Sequence, residues 1–219
     1  MANINVNLVR ASKAPNLPLA PDPYSSAWAN QLNNVLRLYF NTLDNITGAL
    51  LGVVGMTSFS APYGSFIDTS TVAAGVNTVM PVLFNGVNTN SSQVYIGTPT
   101  SRIYITNSGI YNYQYSLQLT NSAAQIHAVT VWIRVNGIDI TNSSSAINLP
   151  VKRGSVNAAV ILALNYLVPI QAGDYMELMW TADDAAVSLA TLPASVVAPI
   201  YPAAPAAILT VTFVSAIPS

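Results

Sequence analysis

The residues that could carry out acid–base or metal chemistry are few in this chain of 219 residues. His127 is the single histidine, cysteine is absent, and charged residues make up only 7% of the sequence. Zinc–thiolate sites, disulfides and thiol nucleophiles are therefore excluded. A serine hydrolase needs a histidine base beside its nucleophile and a carboxylate, and no G-x-S-x-G motif places a serine for attack. We interpret His127 as a residue of a loop or a strand edge.

Two close pairs of carboxylates are the remaining candidates for catalysis or calcium binding. Glycoside hydrolysis needs two carboxylates about 5–10 Å apart. Asp174 lies in a predicted turn and Glu177 in the following strand, so their side chains should point to opposite faces. Asp183 and Asp184 could supply two calcium ligands from one turn, whereas a calcium site needs several convergent oxygens. The sequence therefore predicts a protein that is not an enzyme and has no catalytic residues, metal site or cofactor.

The charge and hydropathy of the chain argue against nucleic-acid and membrane partners. Seven Lys and Arg residues balance eight Asp and Glu residues, whereas a phosphate-binding surface needs clustered positive charge. A spanning helix needs about 18 consecutive apolar residues, and prolines or polar residues interrupt each long uncharged stretch. The N-terminus lacks the apolar core of a secretory signal. We expect a soluble, folded chain without nucleic-acid binding or membrane insertion.

The first predicted segment, residues 1–21, is an extended peptide rich in Asn and Pro. Its prolines prevent a regular helix and favour an extended backbone, and two leucines lie between them. One interpretation is an unattached terminus. The other, which we favour, is a peptide that lies in a groove on a partner and anchors the protein there. The predicted anchor residues are Pro15, Leu17, Pro18, Leu19 and Pro21.

Residues 22–61 are predicted to hold one amphipathic helix, to about residue 53, and a glycine-rich linker. Asp22 is a suitable N-cap and Pro23 suits the first helical position, while Trp28 is expected to contact the anchor or a neighbour. Apolar residues then recur at alternating spacings of three and four, which is typical of a heptad seam. The helix either packs on its own domain or joins the helices of identical chains in a trimer stem. The predicted seam residues are Leu32, Leu36, Tyr39, Leu43, Ile46 and Leu50.

Residues 62–219 are predicted to form a β-sandwich, which makes the chain mainly β. Short runs of Val, Ile, Tyr and Thr alternate with Gly, Asn, Ser and Pro, as in sandwiches of ten or so strands. Asn136-Gly137 between two apolar runs predicts a tight hairpin, and the proline-rich segment 193–207 is interpreted as a surface loop. The candidate strands are 65–70, 78–84, 94–96, 102–106, 109–119, 128–135, 138–141, 158–168, 175–180, 187–192 and 207–214.

Aromatic residues give the most regular pattern within this domain. Tyr111, Tyr113 and Tyr115 alternate along one predicted strand and share a face. Such a stripe either lines a glycan site or, as we favour, forms the core face of the head or a subunit interface, where the hydroxyls find partners. Trp132 and Trp180 are interpreted as core residues.

The order of motifs along the chain is similar to that of a known family. The β-domain contains GIYNYQYSLQL, VTVWIRVNG, NYLVPIQAGDYMELMW and AILTVTFV. This order resembles the trimeric jelly roll of the tumour-necrosis-factor and complement globular-head superfamily. The AGDYxELMW wording and the prolines before ILTV look more like bacteriophage fibre and decoration proteins. NLPLAP and WANQLNNVLRLYFNTLDN look like the N-terminal module of marine and cyanobacterial phage structural proteins. The resemblance implies an antiparallel jelly roll, a homotrimer packed around a threefold axis, and no catalytic residues.

The function that we expect is that of a phage virion structural protein. A homotrimeric short fibre would attach to capsid or tail proteins by its N-terminal peptide and expose its head at the particle surface, where distal loops could bind a host surface glycan. The alternative is a capsid decoration or cement protein that stabilises the shell without receptor binding, and a third is a lectin-like module unrelated to viruses. The candidate receptor-loop residues are Asn142, Ser143, Ser144, Asp183 and Asp184.

Overall fold

The chain forms two units, residues 1–60 and residues 61–219, and each is described by itself. A computed structural model describes residues 14–19, 22, 23, 25–51 and 61–217, with the side chains of the helix up to residue 47. The first unit contains the helix. The second unit, called the head, contains the strands.

Helix α1 spans Ser26–Leu51 and begins later than predicted. Ser25 is its N-cap, because the Ser25 hydroxyl oxygen accepts a hydrogen bond from the Trp28 backbone N–H at 3.4 Å. The Ser25 carbonyl oxygen also accepts the Ala29 N–H at 3.1 Å. The prediction of Asp22 as N-cap and Pro23 as the first helical residue is therefore wrong. The predicted helix end and the linker at 52–60 lie outside the described residues.

The segment 14–19 contacts the first turn of α1. The Trp28 indole N–H donates a hydrogen bond to the Pro18 carbonyl oxygen over 3.1 Å. Pro15 and Pro18 are half-buried, and Leu17 and Leu19 are exposed. Trp28 therefore ties the predicted anchor segment to the start of the helix.

The described part of the head contains fourteen short and long strands. They are β1 (Tyr63–Asp68), β2 (Val72–Ala73), β3 (Met80–Pro81), β4 (Gly86–Ser92), β5 (Val94–Ile96), β6 (Ile103–Ile105), β7 (Gly109–Asn121), β8 (His127–Val135), β9 (Ile138–Asp139), β10 (Ser145–Leu149), β11 (Ala158–Ile170), β12 (Tyr175–Ala182), β13 (Val187–Leu189) and β14 (Ala207–Ser215). The front sheet has the order β2-β13-β7-β14-β1-β4, and β11 pairs with β7. The back sheet has the order β10-β8-β12-β6-β5, with β3 beside β12 and β9 beside β8.

Eight of these strands form a jelly roll, namely β1, β6, β7, β8, β10, β11, β12 and β14. In chain order, the first, third, sixth and eighth of them lie in the front sheet, and the other four lie in the back sheet. This distribution is that of an antiparallel sandwich in which the chain crosses repeatedly between two sheets. The predicted mainly β fold, with a jelly-roll sandwich after one helix, is confirmed.

Alternating side chains of both sheets fill the core. Along β7 every second side chain is buried, and those between point outward. Trp180 in β12 is fully buried, as predicted. The prediction that Trp132 is a core residue is wrong, because Trp132 alternates with the buried Val131 and Ile133 of β8 and lies on the outer face.

The hairpin predicted at Asn136-Gly137 is confirmed. The two residues have positive φ angles of 49° and 80°, and Val135 pairs with Ile138 across the turn. Glycine and asparagine tolerate this left-handed backbone better than other residues do.

Three strands of the head were not predicted, and three predicted strands, 78–84, 138–141 and 187–192, were too long. β4, with the sequence GVNTNSS, is a largely exposed edge strand, so it lacks the apolar alternation that identifies strands. β2 is only two residues long, and β10 is the edge of the back sheet. The predicted strand 78–84 is reduced to β3, although the Val82 N–H beyond it still donates to the Leu178 carbonyl oxygen of β12 at 2.8 Å.

The chain enters the head at one end of the sandwich, called the near end. β1 runs from there to the far end, where Asp68 pairs with Ala207 at the start of β14. The segment 190–206 lies at the far end and is closed by a bridge between Leu192 and Ala204. The proline-rich surface loop is therefore confirmed, with a short paired stem that was not predicted.

Candidate interaction surfaces

The outer face of the front sheet carries no charged side chain in its described strands. The single charged residue of these strands, Asp68, points into the core and is buried. Outward positions of the central strands hold amides and hydroxyls, for example Gln114 in β7 and Thr210 in β14. Soluble surfaces normally carry many Lys, Arg, Glu and Asp residues, so this face has the composition of a covered surface. Its most exposed aliphatic side chains are Ile161 and Leu167 of β11.

Strand β11 is the most apolar part of this face and forms its edge. Its thirteen residues pair only with β7 among the described strands. The outward side chains of Ile161 and Leu167 are 65% and 63% exposed. Inward side chains such as Leu162 are only half-buried, because β10, which lies opposite, has only five residues. Apolar surface is therefore open on both faces of this edge strand.

The predicted seam residues share one face of α1. Leu32, Leu36, Tyr39, Leu43 and Ile46 are all half-buried, whereas the side chain of Leu50 lies outside the described residues. Leu38 and Phe40 beside the seam are exposed. No side chain between residues 25 and 47 is fully buried, so an apolar stripe with heptad spacing is uncovered. No helix in the described part of the chain is long and apolar enough to span a membrane.

The predicted anchor contains two exposed leucines. Leu19 is 93% exposed, and Leu17 is about half exposed. The prolines that flank them hold the backbone extended. Pro21 lies outside the described residues.

Aromatic side chains form a row across the outer face of the back sheet, toward the near end. Tyr95 of β5 lies opposite Tyr104 of β6, which lies opposite Tyr175 of β12. The ring centroids are 5.6 Å apart in the first pair and 5.4 Å apart in the second. The Arg102 guanidinium lies 4.4 Å from the centre of the Tyr175 ring, which is a cation–π contact.

Ion pairs and hydrogen bonds continue this row onto β8 and β9. Glu177 lies opposite Arg134 in the sheet, and its Oε1 accepts a hydrogen bond from Ser101 Oγ at 2.6 Å. Asp139 Oδ1 accepts hydrogen bonds from Arg134 Nε and Trp132 Nε1, both at 2.7 Å. These two bonds hold the pKa of Asp139 below its usual range, and the Arg134 bond has the larger effect.

We name this surface the outer platform. Its residues are Tyr95, Arg102, Tyr104, Trp132, Arg134, Asp139, Tyr175 and Glu177. Sequence reasoning missed the platform, although one signal was present. Its charged residues occur within or beside predicted strands, in a chain with only 7% charged residues.

Comparison with known proteins yields a likeness of structure rather than of sequence. No protein-family model matches the chain, and no curated protein matches it. The structure is similar to the globular domain of the zebrafish complement 1qA protein, with 12% identity and a TM-score of 0.44. The match covers 72% of this chain and 100% of that chain. A likeness at this level carries no inference about function, assembly or a virion.

The tyrosine stripe of β7 lies in the core of the head. Tyr111, Tyr113 and Tyr115 are all buried, so their rings reach neither a glycan nor a neighbouring subunit. The Tyr111 hydroxyl donates to the Asn107 carbonyl oxygen at 2.7 Å, whereas the Tyr113 hydroxyl is buried without a partner among the described residues. Burial raises the pKa of Tyr115 to about 12 and raises that of Tyr113 further.

The two predicted receptor loops do not form one surface. Asn142 and Ser144 are exposed, but Ser143 is buried, and its Oγ accepts the Ile133 N–H at 3.0 Å. Ser143 is therefore a structural turn residue whose side chain is closed to a receptor. The turn at 183–187 lies at the far end instead, whereas Ile133 belongs to the half of β8 nearer the near end.

Within that far-end turn, Asp184 Oδ1 accepts the Ala186 N–H at 2.8 Å. Asp183 Oδ1 lies 3.1 Å from His127 Nδ1, and no hydroxyl bonds to this histidine among the described residues. At the near end, Asp174 Oδ1 accepts a hydrogen bond from Asn136 Nδ2 at 2.7 Å. The described part of the chain contains no group of three or more His, Asp or Glu residues that could hold a metal ion. The carboxylates of these two turns therefore lie at opposite ends of the head.

Proposed function

We propose that the chain is a non-enzymatic structural protein of a bacteriophage virion. Three copies form a short fibre, which the N-terminal peptide attaches to capsid or tail proteins. Their helices form a stem, and their jelly-roll heads are exposed at the particle surface, where they serve host attachment. The virion assignment rests on the resemblance of the sequence motifs to phage fibre and decoration proteins, and the self-association rests on the surfaces described above.

The observation that carries the proposal is the uncharged outer face of the front sheet. The back sheet places Arg134 and the half-exposed Asp139 on its own outer face, so the head does use charged residues in strands that face solvent. The absence of charge from the described front strands is therefore specific to that sheet. Covering Ile161 and Leu167 with a neighbour would contribute about 1–2 kcal/mol for each side chain, since each is about two-thirds exposed.

The seam of α1 supports an assembly of more than two helices. Its spacing puts Leu36 and Leu43 at one core position and Leu32, Tyr39 and Ile46 at the other. In the heptad of Leu43 and Ile46, leucine at the first position with isoleucine at the second is the combination that favours trimers or tetramers over dimers. Because an isolated bundle of this length is marginal, we expect the stem and the head interfaces to stabilise each other.

The mass of the full chain in solution tests the trimer. Sedimentation velocity should give three times the chain mass of 23.1 kDa. Ile161→Lys should shift the protein toward monomers, because it buries a lysine in each interface. The control Val196→Lys, at a side chain of the far-end loop that is 87% exposed, should leave the mass unchanged. A monomeric wild-type chain would overturn the proposal.

Intact particles test the virion role. Cryo-electron microscopy should show a small number of trimers on each particle, attached by their N-termini. A copy at every threefold or quasi-threefold position of the shell would instead indicate a decoration protein. Absence of the chain from purified particles, measured by mass spectrometry, would contradict both roles.

A further inference from the structure

We propose that the outer platform is a binding site for a neutral oligosaccharide. The proposal deepens the attachment role in the proposed function and rests on it. The platform nevertheless lies within one chain, so its binding can be measured whatever the oligomeric state.

The platform concentrates side chains that are rare elsewhere in the head. Four of the ten charged residues of the head lie in it, together with three tyrosines and a tryptophan outside the core. The outer face of the front sheet, by contrast, has no charged side chain in its described strands. A purely solvated sheet face needs charge but gains nothing from clustered aromatic rings. The combination points to a ligand.

The side chains of the platform are held in place before any ligand binds. Arg134 and Trp132 both donate to Asp139 Oδ1, and Ser101 donates to Glu177. The Tyr95 and Tyr104 rings are stacked with 14° between their planes. Groups that are already fixed lose little conformational entropy on binding, which favours affinity for a small ligand.

The charges of the platform balance, which favours a neutral ligand. Arg102 Nε lies 3.8 Å from Glu177 Oε1 without a hydrogen bond, and Arg134 Nε donates to Asp139 Oδ1 at 2.7 Å, so a carboxylate balances the charge of each guanidinium. An acidic sugar would need an arginine without such a partner. Asp139 Oδ1 takes both internal hydrogen bonds, which leaves Oδ2 of this half-exposed carboxylate to accept from a ligand hydroxyl.

The tyrosine row supplies aromatic rings and hydroxyls that suit contacts with a sugar. Tyr95 is 49% exposed, and β5 is the last described strand of the back sheet, so no strand of the described residues lies beside the ring on the side away from Tyr104. The face of an aromatic ring carries negative charge density and therefore attracts the C–H groups on one side of a pyranose. Tyrosine hydroxyls both donate and accept hydrogen bonds, as sugar hydroxyls do.

The size of the platform fits a short oligosaccharide better than a protein. A strand spacing of about 4.8 Å places Tyr95 about 19 Å from Asp139, four strands away, and a rise of about 3.4 Å per residue places Trp132 about 14 Å from Tyr175. The resulting area, on the order of 270 Å², is far below the roughly 800 Å² per partner of a standard protein interface. A short oligosaccharide would cover it.

A glycan array followed by titration tests the proposal. The labelled full-length protein should bind neutral oligosaccharides on the array and gain nothing from added sialic acid. Calorimetric titration with the best neutral oligosaccharide should show that Tyr95→Ala and Asp139→Asn each weaken binding about tenfold or more. Asp139→Asn keeps an oxygen for Trp132 and Arg134, so it should preserve the fold. The matched control Tyr201→Ala, in the far-end loop, should bind as the wild type does.

Three results would overturn the proposal. They are the absence of binding to every neutral oligosaccharide, equal affinity of the wild type and the two platform variants, and capture of a protein ligand by the same surface. Different results would contradict the proposed function, so the two proposals can be distinguished. A trimer that binds no sugar leaves the structural role intact, whereas a monomer that binds sugar through the platform loses the trimer and keeps the site.

Discussion

Removing the buried hydroxyl of Tyr113 should stabilise the head, whereas removing the hydroxyl of Tyr111 on the same strand should destabilise it. Tyr111 and Tyr113 are both fully buried and face the core from β7. The Tyr111 hydroxyl donates to the Asn107 carbonyl oxygen at 2.7 Å, whereas the Tyr113 hydroxyl has no partner among the described residues. Tyr111→Phe and Tyr113→Phe therefore make the same chemical change and differ in one hydrogen bond.

The two substitutions should change the free energy of unfolding in opposite directions. A buried polar group without a partner costs about 1–3 kcal/mol, and a satisfied hydrogen bond contributes about 0.5–1.5 kcal/mol. Tyr113→Phe should raise the free energy of unfolding by about 1 kcal/mol, because the lost contacts of the oxygen offset part of the gain. Tyr111→Phe should lower the free energy of unfolding by about 1 kcal/mol. For a domain of this size the two variants should melt about 4–8 °C apart, on opposite sides of the wild type.

Thermal unfolding followed by circular dichroism provides the assay. All proteins are measured at one concentration, because the Tm of a trimer depends on concentration. Urea titration of the same samples gives the free energy of unfolding independently. If Tyr113→Phe melts as far below the wild type as Tyr111→Phe does, then the Tyr113 hydroxyl is bonded in the folded protein and the reasoning is refuted.

Three further predictions concern pH, the stem and the anchor. The pKa of Tyr115 is about 12 in the fold and about 10 when unfolded, so its stabilisation is complete below about pH 10 and is lost as the pH rises toward 12. Urea unfolding should show this loss of stability in the wild type, and Tyr115→Phe should show a smaller loss. An equal loss in the wild type and in Tyr115→Phe would show that Tyr115 does not cause it. Leu36→Asp with Leu43→Asp should give monomers in sedimentation, since like charges would be buried in one seam, and an unchanged mass and Tm would indicate that the helix packs on its own domain. Deleting residues 1–21 should leave a folded trimer that no longer binds particles in pull-downs, whereas retained binding would contradict the anchor.

Local patterns in the sequence were enough to predict the sandwich and its tightest turn. The alternation along β7 and the hairpin at Asn136-Gly137 each depend on one short stretch of chain. β4 could not be predicted, because an exposed edge strand of Asn, Ser and Thr needs no apolar face. The start of the helix was misplaced because Asp22 and Ser25 are both good N-caps, and the structure, through the Ser25 hydroxyl on the Trp28 N–H, decides between them.

The outer platform was predictable only in part. Within VTVWIRV the valines share a face, so Trp132 and Arg134 must share the opposite one. That inference was available from the sequence, but the size and polarity of tryptophan favoured a core position instead. The row of Tyr95, Tyr104 and Tyr175 could not be predicted, because it comes from three strands whose register depends on the whole fold.

The unpaired edge of β11 makes a head that has not yet assembled prone to aggregation. This long uncharged strand has one hydrogen-bonding side without a strand partner among the described residues. Natural proteins protect such edges with lysine, with proline or by keeping the strand short. In β11 the single proline, Pro169, is the second-to-last residue and leaves the rest of the edge unprotected. A free head therefore presents a template on which another chain can add a strand. In the proposed fibre, trimerisation must outpace this misassembly, so we expect a high yield of native protein only when the pool of unassembled chains stays small.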